Sequence, residues 1–316
     1  MKKNVKNFLI LTACAAGTIH LINRFIDATA EMKNILKAEN GDYYDWKNGK
    51  IYYTKGGHGS PVLLIHDLDP ISSSYEWCRL RKKLEKTHTV YAIDLLGCGR
   101  SDKPALTYTN YLYVQLITDF ITNIIKNKPD VIATNYSLSF TVLAQNMNQD
   151  LMNRIIAINP PAIEKFNGTP NKYSVVKKAL LQTPILGTFV YNILTHQTYI
   201  QRKLQNIYFC KPQLVSSKMM DAYYESAHKH LSHGKYLLAS MEGHYTDNSM
   251  EHALKNLEIP LYIIESREFS DAVSITDSYA KRNPLVETAY ISNTKLIPQL
   301  EAPEKLLSII HMFIGN

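Results

Sequence analysis

The feature that most restricts the fold of this chain is a beat, in which short apolar runs of strand length alternate with segments of helical spacing. PVLLIHD (Pro61 to Asp67) precedes a helical stretch around Glu76 to Lys86, and TVYAID (Thr89 to Asp94) precedes another at Tyr108 to Lys126. VIATN (Val131 to Asn135) leads into Leu138 to Asn148, and RIIAIN (Arg154 to Asn159) closes the series. Runs that are apolar throughout suit strands covered on both faces, with the intervening helices as the cover. Ahead of the series, DYYDW and KIYYTK alternate about Asn48 and Gly49, a hairpin signal. The beat stops at Pro160 and resumes with PLYIIE (Pro260 to Glu265), VETAYI (Val286 to Ile291) and a last helix from Pro303 to Ile314. The pattern predicts an α/β domain over residues 42–316, with a mostly parallel eight-stranded sheet flanked by helices. Residues 160–245, helical and aromatic, read as a helical cap inserted after the sixth strand.

A chain of 316 residues with 45% apolar content can bury a large core. Lys and Arg number 35 against 28 Asp and Glu. The basic residues are dispersed apart from RLRKK at Arg79 to Lys83, a run that reads as a solvated helix face. No nucleic-acid motif accompanies it, so nucleic acid is not an expected partner, and a mild attraction to anionic lipid is the more useful consequence of the charge. Cys14, Cys78, Cys98 and Cys210 lack paired or metal-ligand spacing and read as free thiols.

Residues 1–41 stand apart as an apolar helix and linker. Lys2, Lys3 and Lys6 precede an apolar run over residues 8–22 that contains His20 and is ended by Asn23 and Arg24. That run is shorter than the ~17 to 25 residues of a typical spanning helix. It fits a short anchor, an uncleaved signal or an amphipathic helix lying on the domain, and localisation follows: membrane-associated if it anchors, otherwise cytoplasmic. If it spans, the leading lysines favour an inside N-terminus and an outside body. LTAC at Leu11 to Cys14 imitates a lipoprotein cleavage box, but the apolar run before it is too short for one.

PVLLIHD, VYAIDLLGCGRSDKP, ATNYSLSF, IIAINP and IPQLEAPEKL occur in the order and spacing of the α/β-hydrolase fold family, which the chain resembles over residues 42–316. The resemblance implies a serine nucleophile on a sharp turn between the fifth strand and its helix, and Ser137 takes that place in Asn135-Tyr136-Ser137-Leu138-Ser139. As a plain alternative, Ser137 caps the helix it starts. The base of such enzymes is a histidine after the last strand, in a loop resembling N-T-K-H-x-P-Q-x-E-x-P-E. Here the loop reads NTKLIPQLEAPE, and the histidine position is Leu296, which accepts no proton. The orienting acid falls at Phe269, with Glu268 and Asp271 as possible substitutes. The oxyanion hole implied by the family uses the main-chain N–H of Leu138 and one from the loop holding Asp67 and Leu68. Asp67 puts negative charge there, or else braces the turn at Ser72 to Ser74. His228, His230 and His233 read as a polar helix surface rather than a metal site, and neither metal nor cofactor is expected.

Two functions follow from this reading. One is a catalytically degenerate α/β-hydrolase that binds a small apolar ligand, or a partner, in the former active-site pocket. The alternative is an active serine hydrolase of the esterase or lipase kind, taking an ester substrate and using Ser137 with a non-standard base.

Overall fold

The computed structural model describes residues 2–38 and 41–315, so residues 39 and 40 of the expected linker lie outside the described residues. The N-terminal helix α1 runs over Lys2–Ala30. A hairpin follows, β1 (Asp42–Trp46) and β2 (Gly49–Gly56), then β3 (Pro61–Ile65), the short α2 (Arg81–Leu84) and β4 (Thr89–Ile93). Next come α3 (Asn110–Phe120), β5 (Asp130–Thr134), α4 (Ser137–Met147) and β6 (Arg154–Ile158). Between β6 and β7 the chain forms α5 (Lys172–Gln182), α6 (Leu186–Leu194), α7 (Gln197–Lys203), α8 (Ser217–His228), α9 (Lys235–Glu242) and α10 (Glu251–Lys255). β7 (Leu261–Ser266), α11 (Ala272–Ala280), β8 (Val286–Ile291), α12 (Pro298–Glu301) and α13 (Pro303–Ile314) complete it.

The eight strands make one sheet in the order β1-β2-β4-β3-β5-β6-β7-β8. β2 is antiparallel to both β1 and β4, and every other pair is parallel. The hairpin closes over Lys47 and Asn48 between the paired Trp46 and Gly49. Gly49, at φ 141°, adopts a conformation closed to side chains, and a Cβ there would meet Asp102 at 2.8 Å. The central strands are buried on both faces because their apolar residues alternate between two cores. Leu63, Ile65, Val131 and Ala133 face the layer holding α3 and α4, whereas Val62, Leu64, Ile132 and Ile156 face the one holding α13. A third cluster joins Ile71, Ile297 and Leu300 of the sheet domain to Ile200, Leu204, Tyr208 and Tyr223 of the helical insertion.

The insertion is also stitched down by polar contacts. Gly99 N donates to Ser226 Oγ at 3.0 Å, Ser226 Oγ donates to Ser72 O at 2.8 Å, and Tyr108 N donates to Ser240 Oγ at 3.0 Å. Lys103 donates its buried ammonium to Ser226 O.

Asn23 and Arg24 end the apolar run but not α1, which continues to Ala30. The helix continues because Asn23 finds partners on the insertion: its Nδ2 donates to Ile185 O at 3.1 Å, and its Oδ1 accepts from Asn192 Nδ2 at 3.0 Å. Asn23, Asp27 and Ala30 are buried there, whereas Phe8, Leu9, Leu11, Leu21 and Phe25 remain exposed.

Candidate active site

β5 ends at Thr134 and α4 begins at Ser137, which leaves a two-residue turn. The residue carrying positive φ there is Asn135, at 48°. Asparagine visits the left-handed region at little cost, and small residues flank it two positions either side, Ala133 and Ser137. The sequence register had placed the sharp turn at Ser137. In the fold Ser137 is instead the first helical residue, fully buried, with Oγ donating to His66 O at 2.6 Å. Among the described residues, no histidine ring bonds to that hydroxyl.

The first N–H beyond Asn135 belongs to Tyr136, and Asp67 covers it. Asp67 Oδ1 accepts from Tyr136 N at 3.2 Å, and Oδ2 accepts from Asn135 Nδ2 at 3.0 Å. Leu138 N turns back to Asn135 O at 3.3 Å, so its expected role as a donor into the pocket is not met. Nor does Asp67 brace the serine turn: Asp94 does, with Oδ1 accepting from Ser74 N at 2.7 Å. Leu68 lies beside Asp67, buried on the wall of a neighbouring cavity. Burial and the neighbouring Asp69 push the Asp67 carboxyl up to about 6, against the Asn135 hydrogen bond and the charge of Lys203.

Lys203 reaches Asp69 from α7, an ion pair between insertion and sheet domain. Burial would lower its pKa, but Asp69 holds it well above the usual lysine value. Glu76 is buried nearby, accepting from Tyr223 Oη at 3.2 Å, with the Ser72 hydroxyl also acting on its carboxyl. Burial, then the Asp67 charge, pushes Glu76 up to about 8. His66 is held by Asp67 O at 2.7 Å on Nδ1 and accepts from Leu95 N at 3.0 Å on Nε2, so its ring is a brace. Burial lowers its pKa and keeps it neutral.

Leu296 offers its main chain and an apolar surface. Its carbonyl accepts from Asn159 Nδ2 at 3.0 Å, and its side chain packs with the cluster around Ile71 and Tyr208. Phe269 is half-buried in the turn after β7, with N donating to Ser266 O at 3.4 Å. Glu268 is exposed and accepts from Asn293 N at 3.0 Å, which braces the exit of β8, and Asp271 is exposed at the start of α11. His228 is a buried core histidine between Tyr224 O at 2.9 Å and Thr195 Oγ1 at 3.2 Å, a correction to the reading of HKHLSH as helix surface.

The Gly97 to Pro104 loop carries a buried ion pair. Arg100 Nε meets Asp94 Oδ2 at 2.8 Å, and the guanidinium also donates to Ser74 Oγ at 2.7 Å and Leu36 O at 3.1 Å. Burial would raise Asp94, but Arg100 draws it well below the usual carboxylate range.

A cavity of about 490 Å³ opens beside the turn, lined by Leu68, Tyr136, Phe166 and Met241, with His244 and Asp247 at its edge. His244 Nδ1 lies 2.8 Å from Asp247 Oδ2. Sequence reasoning missed Asn135, Glu76 and the Lys203–Asp69 pair. Asn135 was findable, since it is the residue at the end of the VIAT run most tolerant of positive φ; the other two depend on contacts across the fold.

This sheet order, with a tight strand-to-helix turn after β5 and a helical insertion after β6, defines a hydrolase-type scaffold. Residues 58–307 match the alpha/beta hydrolase family, and the chain belongs to that family. It is 26% identical over 110 residues to a soluble epoxide hydrolase of Corynebacterium sp., covering 35% of this chain and 38% of that protein. It is 24% identical over 136 residues to a haloalkane dehalogenase of Agrobacterium fabrum, covering 43% and 44%. The chain thus spans less than half the length of these relatives. Among solved structures, epoxide hydrolase CorEH superposes with a TM-score of 0.71 at 19% identity, covering 87% of this chain and 98% of that one. A membrane phospholipase A superposes at 0.68 and 17% identity, covering 99% and 98%.

Proposed function

We propose that the chain is a catalytically degenerate α/β-hydrolase, tethered to a membrane by α1 and binding a small apolar ligand in the cavity beside the former catalytic turn. The observation that carries this reading is the Asp67 carboxylate on the Tyr136 N–H. In this fold the N–H after the nucleophile stabilises a developing oxyanion. An acceptor held on that donor repels such an anion and removes its partner. The strained position itself holds Asn135, whose amide is neither hydroxyl nor carboxylate, and Leu296 and Phe269 supply neither base nor acid. The helical insertion acts as a fixed cap over this site. Relatives act on small molecules, epoxides and haloalkanes by their names, which suits a cavity walled by Leu68, Tyr136, Phe166 and Met241.

The tether reading rests on the exposed apolar surface of α1. From Asn4 to Ile22 the helix would extend about 28 Å at 1.5 Å per residue, close to the hydrocarbon thickness of a bilayer. Its apolar window is unburied, unlike that of a core helix.

The chemistry is tested with short p-nitrophenyl esters and a fluorophosphonate probe. Wild-type protein should give negligible turnover and no labelling. Strong turnover abolished by Ser137→Ala would overturn the reading in favour of an active serine hydrolase, and loss on His244→Ala would identify the base. Rebuilding the site requires Asn135→Ser, Leu296→His, Phe269→Asp and Asp67→Gly together, because such groups work as a unit.

A further inference from the structure

α1 leaves the body beside α6 and is fixed there. Beyond the Asn23 contacts, Ser232 Oγ bonds to Asp27 Oδ1 and lies 3.0 Å from Asn192 Oδ1, so a buried polar knot sets the direction of departure. The surface next to that point is unusual for one facing water. α6 exposes Leu186, Val190, Ile193 and Leu194, spaced i, i+4, i+7 and i+8. α5 exposes Tyr173, Val176 and Leu180, spaced i, i+3 and i+7. Those positions form one stripe on each helix, and on a solvated helix such stripes are polar.

Between α1, α6 and α7 lies a groove of about 390 Å³ lined by Ile26, Phe189, Ile193 and Tyr199, with His196 and Arg202 also on its wall. Arg202 is exposed, and no carboxylate pairs with it among the described residues. An apolar slot with a guanidinium beside it matches an acyl chain joined to an anionic headgroup. The stripes, the groove and the unburied turns of α1 at Leu21, Ile22 and Phe25 belong to one neighbourhood, which selects the occupant.

We propose that the outward face of α5 and α6 rests on the bilayer surface and that the groove holds an anionic phospholipid of that bilayer. This rests on the tether reading of α1. A helix that enters a membrane brings the body's adjoining surface to the interface, and exposed apolar side chains there gain burial by entering the acyl boundary.

The test uses the full chain reconstituted in phosphatidylcholine vesicles containing phosphatidylglycerol, with brominated acyl chains as quencher. Tryptophan is introduced at two exposed sites on the face, Leu186→Trp and Ile193→Trp, and at Met147→Trp as reference. Met147 ends α4, at the far end of that helix from the Asn135–Tyr136 turn, and is exposed. Trp46 and Trp77 are buried and give a constant background. Brominated lipid should quench the added fluorescence at least twofold at positions 186 and 193 and little at 147. Arg202→Glu should weaken quenching by brominated phosphatidylglycerol more than by brominated phosphatidylcholine. Vesicle-bound protein quenched equally little at all three positions would overturn the proposal while leaving the tether intact. Crosslinking between copies through the 186 and 193 face, without quenching, would overturn it in favour of self-association. Failure of the wild-type chain to float with vesicles would overturn the tether reading and this one with it.

Discussion

Glu76→Gln isolates what a buried carboxyl does to stability. Glu76 accepts a hydrogen bond from Tyr223 at 3.2 Å, and the Ser72 hydroxyl also acts on its carboxyl. Its pKa rises from 4.5 to about 8 in the folded chain. The native state therefore holds a proton that the unfolded chain releases between those values. The contribution of Glu76 to stability is full below about pH 4.5 and is lost as pH rises through about 8. At about 1.4 kcal/mol per pH unit, ionising Glu76 costs the fold at most ~5 kcal/mol above that window. Glutamine keeps an acceptor for Tyr223 and cannot ionise, but its amide brings two N–H donors where the Ser72 hydroxyl is the neighbouring acceptor, and each donor left unmet costs about 1–3 kcal/mol. Glu76→Gln should be less stable than wild type at pH 5 and more stable at pH 9, with the curves crossing between. Thermal unfolding of the full chain in detergent, followed by near-ultraviolet circular dichroism, reads the difference. Asp67 titrates with the same sign near 6 in both proteins and cancels in the comparison. Parallel wild-type and variant stabilities from pH 5 to 9 would refute the argument.

Arg100→Met should cost roughly 3–5 kcal/mol, because it leaves Asp94 charged and buried without its partner; denaturant unfolding reads the loss, and earlier protease cleavage near Leu36 should accompany it. With Asp94 held far below its usual range, wild-type stability should also decline on acidification below about pH 4, as unfolded carboxylates take up protons first. Deleting residues 2–22 should release a folded body from membranes, read by flotation and circular dichroism. A cut past Asn23 should destabilise it by breaking the bonds to Ile185 and Asn192.

The sheet was legible because both faces of its central strands are covered, so Val62 to Ile65 or Ile155 to Ile158 announce themselves as apolar runs. PQLEAPE fixes the register that assigns Leu296 to the family's histidine position, and in the fold that side chain packs with the apolar cluster around Ile71 and Tyr208. The turn after β5 was misplaced by two residues. Ser137 drew the register towards a serine template, whereas the backbone selects for tolerance of positive φ, which Asn135 has. Asp67 was flagged as misplaced charge, but its partners lie 68 and 69 residues away and no local pattern names them. The docking of α1 beyond residue 22 was not legible for a similar reason: Asn23 ends the apolar run, and only the fold sets Asn192 beside it.

The stitching of the insertion through Ser226, Ser240 and Lys203 bears on traffic rather than on strength. Helices tied to the Gly99 and Tyr108 N–H groups and by the Lys203–Asp69 ion pair resist lifting from the sheet domain. In the proposed binding role, molecules would then reach the cavity along its flank, past lining residues such as Phe166 and Asp247. Rotation of a ring such as Tyr136 or Phe166, rather than the swing of a lid, would set the dwell time of whatever is inside.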